Sequence, residues 1–169
     1  IALETRGPAI VKLTRVSCGK TFWAYKFRTM LNNSHTLKFG ALARLNERKD
    51  GPFFKIKNDP RVTRVGKILR KFRIDEIPQL INVFKGEMSL VGPRPHEPNE
   101  VIYYTAEHKH LILAKAGVTG LSQISGASGL PFLKELELDS RYVKNQSLWM
   151  DSKIIAKTVK IALFDPTAV

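Results

Sequence analysis

The residue pattern predicts an α+β fold: one mostly helical domain spanning residues 1–169, with a small sheet of short strands in the N-terminal third. Three observations predict it. Strand-like residues are confined to the early chain, where Thr21-Phe22-Trp23-Ala24-Tyr25 brings β-branched and aromatic bulk just after a turn at Ser17-Cys18-Gly19. Apolar residues recur at helical spacing through most of the remaining two thirds. No alternation of strands with crossover helices occurs, which a doubly wound sheet would need.

Each element rests on its own residues. Residues 8–30 form short strands around the Ser17-Cys18-Gly19 turn. Leu37 to Arg48 suggests a helix, ended near Asp50-Gly51-Pro52, and Phe53-Phe54-Lys55-Ile56-Lys57 a further short strand. Asp59-Pro60 is a helix start with proline in the first turn, and Val62, Val65, Ile68, Leu69 and Phe72 carry the repeat. A second helix is expected from Asp75 to Lys85, with Asp75 near its N-cap and Gly86 stopping it; Ile77, Leu80, Ile81 and Phe84 are its apolar stripe. Residues 97–114 suggest a third helix with Val101, Tyr104 and Leu111 inward. Residues 132–145 and 147–164 suggest two more. Phe132, Leu133, Leu136, Tyr142 and Val143 form one stripe; Trp149, Ile154, Ile155, Val159, Ala162 and Phe164 form the other. The turn-rich stretch from Ala116 to Pro131 holds four of the eleven glycines and marks a hinge between subregions rather than a domain boundary.

Composition narrows the function. With 43% hydrophobic residues the chain is not a disordered one. Twenty-eight Lys and Arg against 15 Asp and Glu give a formal charge of +13, which excludes an acidic surface and points to an anionic partner: nucleic acid, nucleotide or phosphate, or an acidic membrane face. The single cysteine, Cys18, excludes an intrachain disulfide framework and is taken as structural. No apolar run approaches the roughly 18–20 residues of a spanning helix. His35, His96, His108 and His110 lack the spacing of a zinc site and are taken as ordinary or surface residues. No Walker A or dinucleotide fingerprint occurs.

The charges are segregated. Arg61, Arg64, Lys67, Arg70, Lys71 and Arg73 stand in thirteen residues with no acid among them. They make either a solvated basic face or a surface for anions, and the absence of mixed signs favours the second. The sign then reverses at Asp75-Glu76. In a helix start both carboxylates can reach one cavity, and the field of Arg70, Lys71 and Arg73 favours their ionised forms. Ionised carboxylates can ligate a divalent metal or attack phosphorus; the plainer alternative is a cap residue beside a salt-bridged neighbour. In Val91-Gly92-Pro93-Arg94-Pro95 two prolines hold the backbone around one guanidinium suited to phosphate or carboxylate. Lys26, Arg28, the Asp59/Arg61 pair, and Asp139 with Tyr142 are individually weak candidates.

These segments, taken in order, resemble the bacterial sugar transferases of the monotopic phosphoglycosyl transferase family. The matching runs are Lys26-Phe27-Arg28-Thr29-Met30, Gly51-Pro52-Phe53-Phe54-Lys55-Ile56, Asp59 to Gly66, Leu69-Arg70, Asp75 to Val83, Lys85 to Pro95, Gly117-Val118-Thr119-Gly120 and Leu138 to Val143. The resemblance implies transfer of a sugar-1-phosphate from a UDP-sugar to polyprenyl (undecaprenyl) phosphate with release of UMP, the opening step of lipid-linked glycan assembly. It implies Asp75 as nucleophile of a covalent phospho-sugar intermediate, Glu76 as its partner in a catalytic dyad, and Mg²⁺ held by Asp75 and Glu76. It places Lys26, Arg28, Arg61, Arg70, Arg94 and Asp139 toward phosphate or nucleotide. It further implies an anionic membrane surface as partner, residence at the cytoplasmic face of the bacterial inner membrane, and a membrane segment upstream of Ile1; it admits a homo-oligomer.

The chain departs from that pattern at several positions. Ala116 stands where proline is usual, Ser122 near a usual aromatic, Ala127 where arginine is usual, and Asn99 where glutamate is common. Leu13 and Ser17 replace glutamine and glycine. These changes leave a catalytically weakened or non-catalytic relative, acting as a membrane or assembly partner, as an alternative. A nucleic-acid-binding domain using residues 61–73 on phosphates and Trp23 and Phe54 for stacking is another. Asp75-Glu76 argues against it, because two carboxylates beside such a helix repel phosphate.

Overall fold

The computed structural model describes residues 1–2, 4–34, 36–37, 40–126 and 129–164. An antiparallel hairpin opens the fold, with β1 (Ile10–Ser17) and β2 (Lys20–Phe27) paired from Ile10 opposite Phe27 to Ser17 opposite Lys20. The two turn residues, Cys18 and Gly19, both take positive φ (51° and 71°). That conformation matches a two-residue turn to the twist of the strands. Cys18 is free and exposed at this turn, not part of the core.

The early chain holds less regular structure than its composition suggests. Among the described residues of the Leu37–Arg48 region 3₁₀ turns, Ala43–Leu45 one of them, stand where the helix is expected, and Phe53–Lys57 forms no strand. Asn46 explains part of this. Its side chain accepts from the Arg48 and Lys55 amides and donates to the Phe53 carbonyl, so a loop closes on an asparagine instead of on helical bonds.

Helix α1 (Arg64–Lys71) begins at Thr63, whose hydroxyl accepts from the Gly66 amide, and not at Asp59-Pro60. Gly66 lets this helix press against the strand exit: a Cβ there would lie 2.0 Å from the Thr29 carbonyl oxygen. Arg73, at φ 55°, then breaks the path. The single helix expected over 75–85 is instead a 3₁₀ turn, Ile74–Gln79, followed by a short α2 (Leu80–Phe84). Asp75 is therefore not an N-cap.

Asn82 fixes this unit to the hairpin. Fully buried, it accepts from the Tyr25 amide (3.1 Å) and donates to the Trp23 carbonyl and to Glu87, each at 2.7 Å. Ile77, Leu80, Ile81 and Phe84 do not form a core stripe. All four are exposed, as are Ile68 and Phe72 of the preceding helix region.

A second pair of strands lies outside the N-terminal third. β3 (Ser89–Val91) runs parallel to β4 (Gly117–Thr119). Between them the long helix expected over 97–114 is divided into α3 (Pro98–Val101), closed by a capping box between Glu97 and Glu100, and a 3₁₀ stretch, Ala106–Leu113. After β4 come α4 (Leu121–Ser125), α5 (Phe132–Lys144) and α6 (Leu148–Phe164). The last two agree with the expected helices within two residues.

The core has two centres. Tyr104, Leu111, Phe132 and Leu136 form one; Val91, Tyr142 and Ile154 form the other. Ile154 is the one fully buried apolar side chain of α6, whereas Trp149, Val159 and Phe164 are exposed. Among the described residues no helix is long and apolar enough to cross a membrane.

Candidate functional site

The hairpin, α1, the 3₁₀ turn and the loop after β3 surround an open cleft of about 1000 Å³. Lys26 enters it from β2, Arg70 from α1, Asp75 and Glu76 from the 3₁₀ turn, and Arg94 from the proline-flanked loop. The 3₁₀ geometry, with three residues per turn, sets the adjacent carboxylates about 120° apart. Both still meet the same cation: Lys26 Nζ lies 2.5 Å from Glu76 Oε1 and 3.9 Å from Asp75 Oδ2.

The two carboxylates are held differently. Burial works to raise the Glu76 pKa, but Lys26, as neighbouring charge and as hydrogen-bond donor, brings it below the usual carboxylate range. Asp75 goes the other way. Burial and the adjacent Glu76 raise it, against the opposing pull of Lys26 and Arg70. Arg70 acts on Asp75 and Arg73 on Glu76 in the expected direction, toward the ionised form, but at Asp75 burial outweighs that pull. Among the described residues no side chain donates a hydrogen bond to Asp75.

Arg70 is fixed by one edge, its Nε donating to Thr29 Oγ1 at 3.0 Å. Burial lowers its pKa, while Asp75 and Asp59 act to restore it. Arg94 is fixed through its main chain: its amide donates to Asp139 Oδ2 at 3.0 Å, and its Nε stands 3.8 Å from Glu135 Oε1. Burial opposes the Arg94 charge, but Glu135 and Glu76 hold its pKa above the ordinary value.

Three residues expected to face phosphate or nucleotide are already occupied. The Arg28 guanidinium bonds the carbonyls of Thr5, Arg6, Gly7 and Pro8 and the Thr5 hydroxyl, so it clamps the N-terminal segment. Arg61 makes a forked pair with Asp59, with Nη2 2.6 Å from Oδ2, and stacks 5.2 Å from the Phe54 ring centre. Asp139 is buried beneath Arg94. Burial pushes its pKa up to about 6, against the pull of the nearby Ser122 hydroxyl and the Arg94 amide. Its Oδ1 and Ser122 Oγ are both buried without a completed hydrogen bond among the described residues. Asp139 thus positions the Arg94 loop from below.

Sequence reasoning overlooked other residues. Arg15, Thr29, Arg73 and Gln79 also line the cleft. His96 is not a surface residue: it is 2% exposed and bonded through both ring nitrogens, to Tyr104 and to Glu135. The signal available was its place directly after Pro93-Arg94-Pro95. His35 and Ala127 lie outside the described residues.

Among the described residues no group of three or more His, Cys, Asp or Glu side chains is placed to enclose a metal ion. The donor set is the Asp75/Glu76 pair. It suits a hard divalent cation held by one or two carboxylates and completed by substrate phosphate and water.

The chain matches the family model described as bacterial sugar transferase over residues 1–165. It is 46% identical over 163 residues to the Salmonella typhimurium undecaprenyl-phosphate galactose phosphotransferase, covering 93% of this chain and 34% of that protein. It is 41% identical over 170 residues to the Caulobacter vibrioides UDP-glucose:undecaprenyl-phosphate glucose-1-phosphate transferase, covering 94% and 58%. It is 38% identical over 172 residues to the Aeromonas hydrophila UDP-N-acetylgalactosamine-undecaprenyl-phosphate N-acetylgalactosaminephosphotransferase, covering 96% and 37%. The chain thus spans about a third of the length of the Salmonella and Aeromonas proteins.

Proposed function

The chain belongs to the bacterial sugar transferase family, and from that premise we propose that it catalyses transfer of a sugar-1-phosphate from a UDP-sugar to polyprenyl phosphate, by way of a covalent intermediate on Asp75. The observation that carries this reading is the unequal pair: Glu76 closed on Lys26, and Asp75 buried beside it with no side-chain hydrogen-bond donor among the described residues. A carboxylate with few donors and little water is the better nucleophile of the two.

In the first step an Asp75 oxygen attacks the sugar-bearing phosphorus of the UDP-sugar. An O–P bond forms, the P–O bond to the leaving phosphate breaks, and UMP departs with that electron pair. In the second step an oxygen of polyprenyl phosphate attacks the same phosphorus and displaces Asp75, giving a polyprenyl diphosphate sugar and the free carboxylate. Arg70 and Arg94 stand at the cleft to neutralise phosphate oxygens, and Lys26 keeps Glu76 ionised. Asp75 and Glu76 would hold Mg²⁺, which when bound supplies charge neutralisation on the diphosphate.

The names of the relatives include galactose, glucose and N-acetylgalactosamine donors, so a hexose or N-acetylhexosamine UDP-sugar is the substrate class. Residence at a membrane face is supported by the exposed run Ile68, Phe72, Ile77, Ile81 and Phe84, interspersed with Lys67, Lys71, Arg73 and Lys85. Apolar area and basic charge add at an anionic lipid surface. This face carries the claim better than α6 alone.

The test is UMP release by the full-length protein with a panel of these UDP-sugars, polyprenyl phosphate and Mg²⁺. Transfer that vanishes in Asp75→Asn, together with a phospho-sugar adduct on Asp75 by mass spectrometry, is the expected result. A fully active Asp75→Asn protein overturns the nucleophile.

A further inference from the structure

A chain of buried polar groups runs from the core to the cleft and ends on Arg94. Tyr104 Oη lies 2.5 Å from His96 Nδ1, and His96 Nε2 lies 2.8 Å from Glu135 Oε1. That same oxygen is 3.8 Å from Arg94 Nε. His96 and Glu135 are buried, and the His96 ring lies against Phe53, Tyr104 and Phe132. The ring of His96 stands edge-on to Phe53 and to Tyr104, at 5.2 and 5.6 Å between centres, which fixes its orientation. Its carbonyl accepts from the Val16 amide of β1 at 3.0 Å. The cavity beside it is about 10 Å³, the threshold for a single water.

The partners assign the protons. Burial and the nearby carboxylates raise the Tyr104 pKa, so the phenol keeps its proton. The Glu135 carboxylate only accepts, so His96 Nε2 donates to it, and Nδ1 pairs with the Tyr104 hydroxyl. Burial works to raise the Glu135 pKa, but the bond from His96 and the charge of Arg94 hold it below the usual range. The chain therefore delivers one negative charge to Arg94. An apolar cluster of similar volume would pack this core without the desolvation of a glutamate. What the polar chain adds is a fixed anion beside a cleft arginine.

We infer that Tyr104, His96 and Glu135 form a positioning chain that holds the Arg94 guanidinium by its Nε edge and leaves its Nη groups for substrate phosphate. The Nη atoms make no hydrogen bond among the described residues. Pro93 and Pro95 and the Asp139 bond fix the main chain at Arg94; the positioning chain fixes the side chain. The inference rests on the proposed function in taking phosphate as the anion that meets Arg94.

The test is a double-mutant cycle on the full-length protein, read by affinity for inorganic phosphate and separately by transfer kinetics. His96→Phe keeps a ring and drops both bonds; Glu135→Gln keeps the shape and drops the charge. Each should weaken phosphate binding about tenfold, less than outright removal of an anion-binding donor. His96→Gln, whose amide can both accept and donate, should recover most of the loss. In an Arg94→Ala background the same substitutions should have no further effect. Tyr104→Phe removes one hydroxyl and serves if His96→Phe fails to fold. Equal losses with and without Arg94, or undiminished phosphate binding in all the single variants, would overturn the chain. Arg94-dependent coupling in phosphate binding by a protein that transfers from no UDP-sugar would retain the chain and remove the transferase reading.

Discussion

Ser17 and Ala116, 99 residues apart, are joined by a hydrogen bond in which the Ala116 amide donates to Ser17 Oγ at 3.1 Å. The Ser17 hydroxyl in turn donates to the Glu87 carbonyl at 2.8 Å. Both positions depart from the pattern that the chain otherwise resembles, where glycine and proline are usual. A proline at 116 would have no N–H to satisfy; the alanine has one, and the serine supplies its acceptor. The two departures answer each other.

Ser17→Ala should therefore leave a buried amide without a partner and destabilise the fold by about 1–3 kcal/mol. Adding Ala116→Pro in that background should cost less than the same change alone, because the N–H it removes is already unpaired. Chemical denaturation of the three variants checks this, and strict additivity would contradict it.

Asp75→Asn should abolish transfer and stabilise the protein at neutral pH. The sign comes from burial. The folded-state pKa of Asp75 is raised, so its ionisation costs stability that is present below the unfolded pKa and is lost as pH rises through the folded one. An amide has no such loss. Melting temperatures at pH 7.5 and pH 4 should differ between wild type and variant in that direction.

Lys26→Met should move the acid limb of the pH–rate profile upward, since Lys26 lowers the pKa of both carboxylates and transfer needs Asp75 ionised. Stability should change in the opposite sense from Asp75→Asn. Glu76, whose pKa is depressed, contributes stability above its unfolded pKa, lost as pH falls through the folded value, and the variant forfeits it at neutral pH.

Asp139→Asn should raise stability at pH 8 by about 1–3 kcal/mol, the scale of a shift from the usual range to about 6. The amide oxygen still accepts from the Arg94 N–H. The gain should shrink toward zero near pH 4, where the aspartate is already protonated in the folded state. Denaturant titrations at the two pH values measure it.

Phe84 is 94% exposed and contributes no core packing. Phe84→Ser should leave the melting temperature nearly unchanged and weaken sedimentation with vesicles containing anionic lipid. The matching control is Phe132→Ser, which opens the core and should cost several kcal/mol.

The terminal helices were legible because Phe132, Leu136 and Tyr142 recur at helical spacing and are buried by it. The hairpin was legible from its aromatic run and its turn. The middle of the chain was not. Its apolar repeat from Ile68 to Phe84 faces outward, so periodicity announced a buried stripe where the fold has an exposed face. The break at Arg73 uses a left-handed backbone that no residue type there signals. At the site, the positions of Asp75, Glu76, Arg70 and Arg94 around one cleft could be anticipated from their runs. The capture of Arg28 by backbone carbonyls and of Arg61 by Asp59 could not, because charge alone does not distinguish an arginine that clamps from one that waits for a ligand. His96 and Glu135 meet across 39 residues, a pairing that only tertiary structure reveals.

Asn82 couples the hairpin to the carboxylate pair. It pins α2 to β2 through the Trp23 carbonyl and the Tyr25 amide, and the next residue along that strand is Lys26, whose ammonium meets Asp75 and Glu76. Before the hairpin docks, the adjacent carboxylates have no cation from β2 and their burial is opposed by their own repulsion. Docking closes a loop of nearly sixty residues, an entropic step that local helix formation does not require. The contact of Lys26 with the Asp75/Glu76 pair therefore requires the strand to be in register against α2. One buried asparagine thus holds both the hairpin and the cation that the two carboxylates share.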